Sequence, residues 1–361
     1  MELTFRWYGE RDAIPLEHIR QIPGVTGVVS ALHDVPPGIE WPLGALTRLG
    51  ERIERAGLRL AVVESIPVHE DVKLGRPERD RWIDAWCRTL EHVGALGVPV
   101  VCYNFMPVFD WTRTDLAYPL PDGSTALAYD DAALARIDLS QGTGALPGWA
   151  AAYDADELRA LLAAYADVDA ERMWEHLAYF LARVAPVAER VGVRLALHPD
   201  DPPWPVFGLP RIVTDGPALE RVLSLVESPA SGLCFCTGSL GASPANDLPA
   251  LARALAARGR VHFVHARNVR VTGVRSFHES PHPSALGSVD LYAVLHALVG
   301  AGFRGPVRPD HGRMIWGETG RPGYGLHDRA LGATYLYGLW EGISRGPSHH
   351  PRSTPTRGSR S

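Results

Sequence analysis

Eight short apolar runs, most of them separated by stretches of helical period, constrain the fold of this chain more than any other feature. The runs are LTFRWY (3–8), VTGVVSA (25–31), RLAVVES (59–65), PVVCYNF (99–105), VRLALH (193–198), GLCFC (232–236), VHFVHA (261–266) and GPVRP (305–309). Between them lie amphipathic segments at 42–57, 79–97, 171–192 and 248–259, several closing on glycine as helices commonly do. Strand alternating with helix implies a parallel sheet. Eight such strands predict an α/β fold of the closed (β/α)8 TIM-barrel type, and no GxGxxG follows the first run to favour an open dinucleotide-binding sheet.

The barrel is expected to occupy residues 1–345 as one domain, with one large insertion at about 106–165 after the fourth run. The insertion begins MPVFDWTRTDLAYPLPDGSTALAYD, a composition suited to a lid or pocket wall. Residues 346–361, GPSHHPRSTPTRGSRS, lack apolar anchors and read as a flexible tail, so His349 and His350 are given no role. A net charge of −5 without a basic stripe argues against a nucleic-acid partner. The N-terminus has no apolar leader and no run of eighteen apolar residues occurs, so a cytoplasmic protein without a membrane span is expected. Four cysteines in 361 residues do not make a disulfide framework.

Functional groups of a parallel barrel collect at the C-terminal ends of its strands. Four consecutive strand ends here present His198, Cys236, His265 and Asp310. Each alone has an ordinary reading: a rim histidine, a packed cysteine, a helix-capping aspartate. Together they can converge on one divalent ion. His262 lies three residues before His265, so strand alternation sends it to the other face. Cys234 shares the face of Cys236 one layer deeper and reads as core, as Cys87 and Cys102 do. Mixed N, O and S donors argue against Mg2+ or Ca2+ and suit Mn, Fe, Co or Zn, with Zn or Fe the first expectation from donor type.

A divalent ion with one thiolate and one carboxylate is formally neutral, so an acidic substrate needs a guanidinium close by. Arg267, Arg308 and Arg313 flank the ligands; Arg313 is the first choice for substrate, with Arg267 as its companion. His311 follows Asp310 but should point away from the ion, which leaves it for proton transfer. Tyr324, in the glycine-rich GRPGYGLHDRA, either brings a phenol to the same pocket or only packs its loop.

At this point the chain resembles the metal-dependent mannonate dehydratase family with a xylose-isomerase-like barrel. The motifs that carry the resemblance are FRWYG, SIPVHEDVKLG (65–75), YNFMPVFDWTRT (103–114), LALHPDDPP (195–203), CTGSLG (236–241), HFVHARNV (262–269), RPDHGR (308–313) and GYGL (323–326). The resemblance implies dehydration of D-mannonate to 2-dehydro-3-deoxy-D-gluconate in glucuronate breakdown. It implies Mn2+, with Fe2+ as an alternative, on His198, Cys236, His265 and Asp310, acid/base roles for His311 and Tyr324, and a homodimer. Which of the two residues is the acid stays open; the expectation is that His311 assists the leaving C3 hydroxyl and Tyr324, as phenolate, takes the C2 proton. The competing expectations are a sugar isomerase or epimerase on the same barrel, a metal nuclease disfavoured by charge, and a sugar-acid sensor without turnover.

Overall fold

The computed structural model describes residues 1–141 and 153–346. Part of the expected insertion, and the expected tail apart from Gly346, lie outside the described residues. Twelve strands occur among the described residues: β1 (Glu2–Arg6), β2 (Val25–Ser30), β3 (Arg59–Glu64), β4 (Val100–Tyr103), β5 (Asp115–Pro119), β6 (Thr125–Asp130), β7 (Arg194–Leu197), β8 (Ser231–Cys236), β9 (Val261–His265), β10 (Asn268–Gly273), β11 (Ser276–Ser280) and β12 (Pro306–Arg308). Eight of them close a parallel barrel in the order β1-β12-β9-β8-β7-β4-β3-β2. These are the eight runs read from the sequence. Their apolar residues are buried on both faces because helices cover the outside and packed side chains fill the inside.

The helices fall close to the predicted windows: Leu43–Arg55, Arg79–Ala95, Ala170–Val191 and Leu248–Ala257. The longest shows why. Met173, Trp174, Leu177, Phe180, Leu181, Val184, Ala185 and Ala188 recur at three- and four-residue spacing and are all buried against the barrel. Asp169 caps its N-terminus and left-handed Gly192 ends it.

The remaining four strands form a second, antiparallel sheet ordered β10-β11-β6-β5. The hairpin β5–β6 comes from the expected insertion, but its partner is a second hairpin, β10–β11, which leaves the rim after β9. The sequence reading placed one excursion on this rim; there are two, and they zip together at Ser276↔Asp130, Phe277↔Tyr129 and His278↔Ala128.

Candidate active site

Three of the four residues expected at the strand ends, His198, Cys236 and His265, offer donor atoms within 4.8 Å of one another. His198 hydrogen-bonds through Nδ1 to the Pro199 carbonyl at 2.6 Å, which turns Nε2 inward to 3.1 Å from His265 Nδ1. Asp310 reaches the same group, with Oδ2 3.7 Å from His265 Nδ1 and 3.8 Å from Cys236 Sγ. Its backbone takes φ 57°, a left-handed conformation that a non-glycine residue adopts at a cost and that turns the chain out of β12 into the site.

Cys236 accepts hydrogen bonds from Ser239 N at 3.5 Å and Ser239 Oγ at 3.1 Å. Burial opposes its ionisation, but the Arg267 guanidinium and His198 outweigh it and hold the thiol well below its ordinary range. Two neutral imidazoles, a thiolate and a carboxylate are a donor set that fits a divalent transition ion. His262, by contrast, is bonded to the Leu195 carbonyl at 2.7 Å and takes no part in the group.

Beside this group stands a relay of three side chains. Tyr324 Oη lies 2.7 Å from His311 Nε2, and His311 Nδ1 lies 3.1 Å from Glu279 Oε1. The carboxylate holds the ring proton on Nδ1, so Nε2 accepts from the phenol. Burial, then Tyr8 and Asp310, push the Tyr324 phenol well above its ordinary range. His198, His265 and Asp310 of the donor group and His311 and Tyr324 of the relay line one cavity of about 200 Å³, together with Arg6, Glu64, Asn104, Trp111 and Arg321.

Neither of the two arginines expected to meet substrate, Arg267 and Arg313, lines this cavity. Arg267 is fully buried behind the donor group, contacting Asp201 (2.6 Å), Asp310 (2.8 Å) and Glu279. Gly238 makes room for it, since a Cβ there would sit 2.4 Å from Arg267 Nε. Arg313 is committed to Asp328 at 2.8 Å and Asp122 at 2.6 Å and does not line the cavity. Arg308 lines it but is bidentate on Glu64 and contacts Asp310 at 2.8 Å. Arg321 lines the cavity, lies 4.1 Å over the Tyr8 ring, and makes no ion pair among the described residues.

Sequence reasoning missed Glu64, Glu279 and Asp201. Glu64 ends β3 and was within reach of the strand-end rule that found His198. Glu279 sits on β11 and Asp201 in the loop after β7, where no sequence spacing ties them to Arg113 and Arg267.

The fold and this gathering of groups define a class, a (β/α)8-barrel enzyme whose rim can hold a divalent ion beside a proton relay. The D-mannonate dehydratase (UxuA) family model matches residues 1–350. Mannonate dehydratase 2 of Halalkalibacterium halodurans is 55% identical over 344 residues, covering 95% of this chain and all of that protein. The mannonate dehydratase of Streptococcus uberis is 54% identical over 343 residues, covering 95% and 99%. The crystal structure of mannonate dehydratase from Streptococcus suis serotype2 superposes with a TM-score of 0.90 at 47% identity, covering 96% of this chain and 95% of that one. The chain belongs to the D-mannonate dehydratase family, and its activity is that family's: a hydro-lyase reaction on mannonate.

Proposed function

We propose that His198, Cys236, His265 and Asp310 hold a divalent ion, and that His311 and Tyr324 carry the protons as D-mannonate loses water across C2–C3. The product is then 2-dehydro-3-deoxy-D-gluconate. The observation that carries this reading is the placement of the 2.7 Å His311–Tyr324 pair on the wall of the cavity that His198, His265 and Asp310 also line. Mn2+, with Fe2+ as the alternative, rests on the family; the donors alone suit Zn2+ as well. Bound there, the ion would act as a Lewis acid toward substrate oxygens and favour negative charge at C2.

Charge supports an acidic substrate. The guanidiniums of Arg6, Arg113, Arg267 and Arg308 face the carboxylates of Glu64, Asp201, Glu279 and Asp310 in one buried network. Four charges balance four, so a divalent ion with the Cys236 thiolate leaves one positive charge, which a sugar-acid carboxylate neutralises. Arg321, on the cavity lining, takes the place of Arg313 as the residue that meets that carboxylate.

The relay favours the reverse of the roles expected from sequence. A phenol held above its ordinary range stays protonated and serves as an acid, while an imidazole anchored on Glu279 presents Nε2 as a base. Substrate bound between them gives its C2 proton to His311 and takes the Tyr324 proton on the departing C3 hydroxyl. His311 then returns its proton to Tyr324 along their hydrogen bond, and the site is reset with water lost. The homodimer proposed for this enzyme rests on the resemblance; sedimentation tests the assembly.

The experiment is turnover of D-mannonate by metal-stripped protein, with and without Mn2+, following the 2-keto-3-deoxy acid. Ion-dependent product is expected. Folded protein that takes up Mn2+ or Fe2+ without changing its rate would overturn the role given to the donor group.

A further inference from the structure

The proposed chemistry leaves two buried thiols unused. Cys102 on β4 pairs in register with Glu64 on β3, so both point into the barrel, and Cys234 precedes Cys236 by two residues, which puts it on the same face one layer down. The donor atoms of Cys102, Cys234 and His265 lie within 4.8 Å of one another. His265 is thus shared between this group and the one above it.

The ring has an edge for each. Nδ1 faces His198 and Asp310. Nε2 is buried without a hydrogen-bond partner; its nearest carboxylate, Glu64 Oε2 at 3.4 Å, is already engaged by Arg308. A buried imidazole nitrogen left in this state is costly unless something else engages it. Around the thiols the wall is Val29, Ala61, Val62, Val100, Ala196 and Phe263.

We propose that Cys102, Cys234 and His265 Nε2 form a second metal site beneath the catalytic one, for thiophilic d10 ions such as Cd2+ and Zn2+. The wall decides the class of ion. Mg2+, Ca2+ and Mn2+ prefer several oxygen donors and water, but the carboxylate oxygen nearest His265 Nε2, Glu64 Oε2, is held by Arg308, whereas two thiolates and an imidazole satisfy a soft ion without water. Two thiolates also neutralise a divalent ion, so the filled site places no net charge in an apolar layer. Cys102 lines the catalytic cavity, which supplies the route in. Because Nδ1 faces one group and Nε2 the other, the ring can bridge an ion in each, and both sites can be filled at once.

The test is cadmium binding to the metal-stripped, full-length protein, read by metal analysis and by thiolate-to-cadmium ultraviolet absorption. The unsubstituted chain is expected to take up about two ions, and Cys102→Ser or Cys234→Ser to halve that number and the absorption. Cys236→Ser should remove the other ion. Cadmium NMR of the unsubstituted protein needs no variant and should give two resonances, one in the range of two-thiolate coordination. Unchanged uptake and absorption in both serine variants, or a single one-thiolate resonance in the unsubstituted protein, would overturn the site. Uptake that is abolished by Cys102→Ser yet indifferent to Cys236→Ser would support the lower site and sink the upper one instead.

Discussion

The two nitrogens of His311 are spoken for on opposite sides, by Glu279 and by Tyr324, and this decides what single substitutions should do. Under the roles proposed, Tyr324→Phe removes the acid but leaves the base, so its C2 hydrogen still exchanges with deuterated solvent while dehydration falls about 10²–10⁴-fold. His311→Asn removes the base and should lose exchange and dehydration together. Exchange retained in His311→Asn and lost in Tyr324→Phe would restore the assignment first expected from the sequence. At this scale the sequence was informative at four strand ends, since His198, Cys236, His265 and Asp310 do converge, although Glu64 at the end of β3 was passed over. It did not place Arg267 and Arg313, because closeness in sequence to a strand end says nothing about which carboxylates a long side chain finds. Arg267 finds Asp201 and Glu279, 66 and 12 residues away in sequence.

Among the elements, the roof over the rim matters most and was least legible. The barrel strands announce themselves because both their faces are buried, giving near-continuous apolar runs. The hairpins do not: β5 is half-exposed or exposed along its whole length, and β10 becomes exposed or half-exposed after its first two residues. Phe277 on β11 is the pin of that pairing, stacked on Tyr129 of β6 with ring centroids 5.8 Å apart and with the Arg113 guanidinium 4.9 Å from its own. Since β11 also carries Glu279, loosening the seam should loosen the relay. Phe277→Ala is expected to cost about 3–5 kcal/mol in urea denaturation. It should lower kcat without lowering manganese uptake by metal analysis. Equal loss of manganese would mean that the roof supports the donor group rather than the relay.

For the whole molecule, the buried network and the ion should act on stability together. Burial raises the pKa of Glu64, Asp201, Glu279 and Asp310, yet the facing guanidiniums outweigh it and hold all four below their ordinary values. A carboxylate whose folded pKa is depressed contributes stability that is complete above its unfolded pKa and is lost as pH falls through the folded one. The carboxylates' share of the urea midpoint should therefore stay whole down to about pH 5 and be lost below about pH 4. This comes on top of an earlier decline from about pH 6.5, because the unfolded chain takes up protons at His33 and His262 that burial keeps off in the folded one. An ion on the proposed ligands, at the ends of β7, β8 and β9 and in the turn after β12, would tie half the barrel together, and at a hundredfold excess over its Kd would add about 2.7 kcal/mol. That increment should disappear in Cys236→Ser at neutral pH. In the unsubstituted protein it should disappear on acidification, because protons displace the ion from His198, His265 and Asp310. The measurement is Tm with and without Mn2+ across that pH range. A manganese increment that persisted in Cys236→Ser, or one that outlasted the acid transition, would place the stabilising ion away from these strand ends.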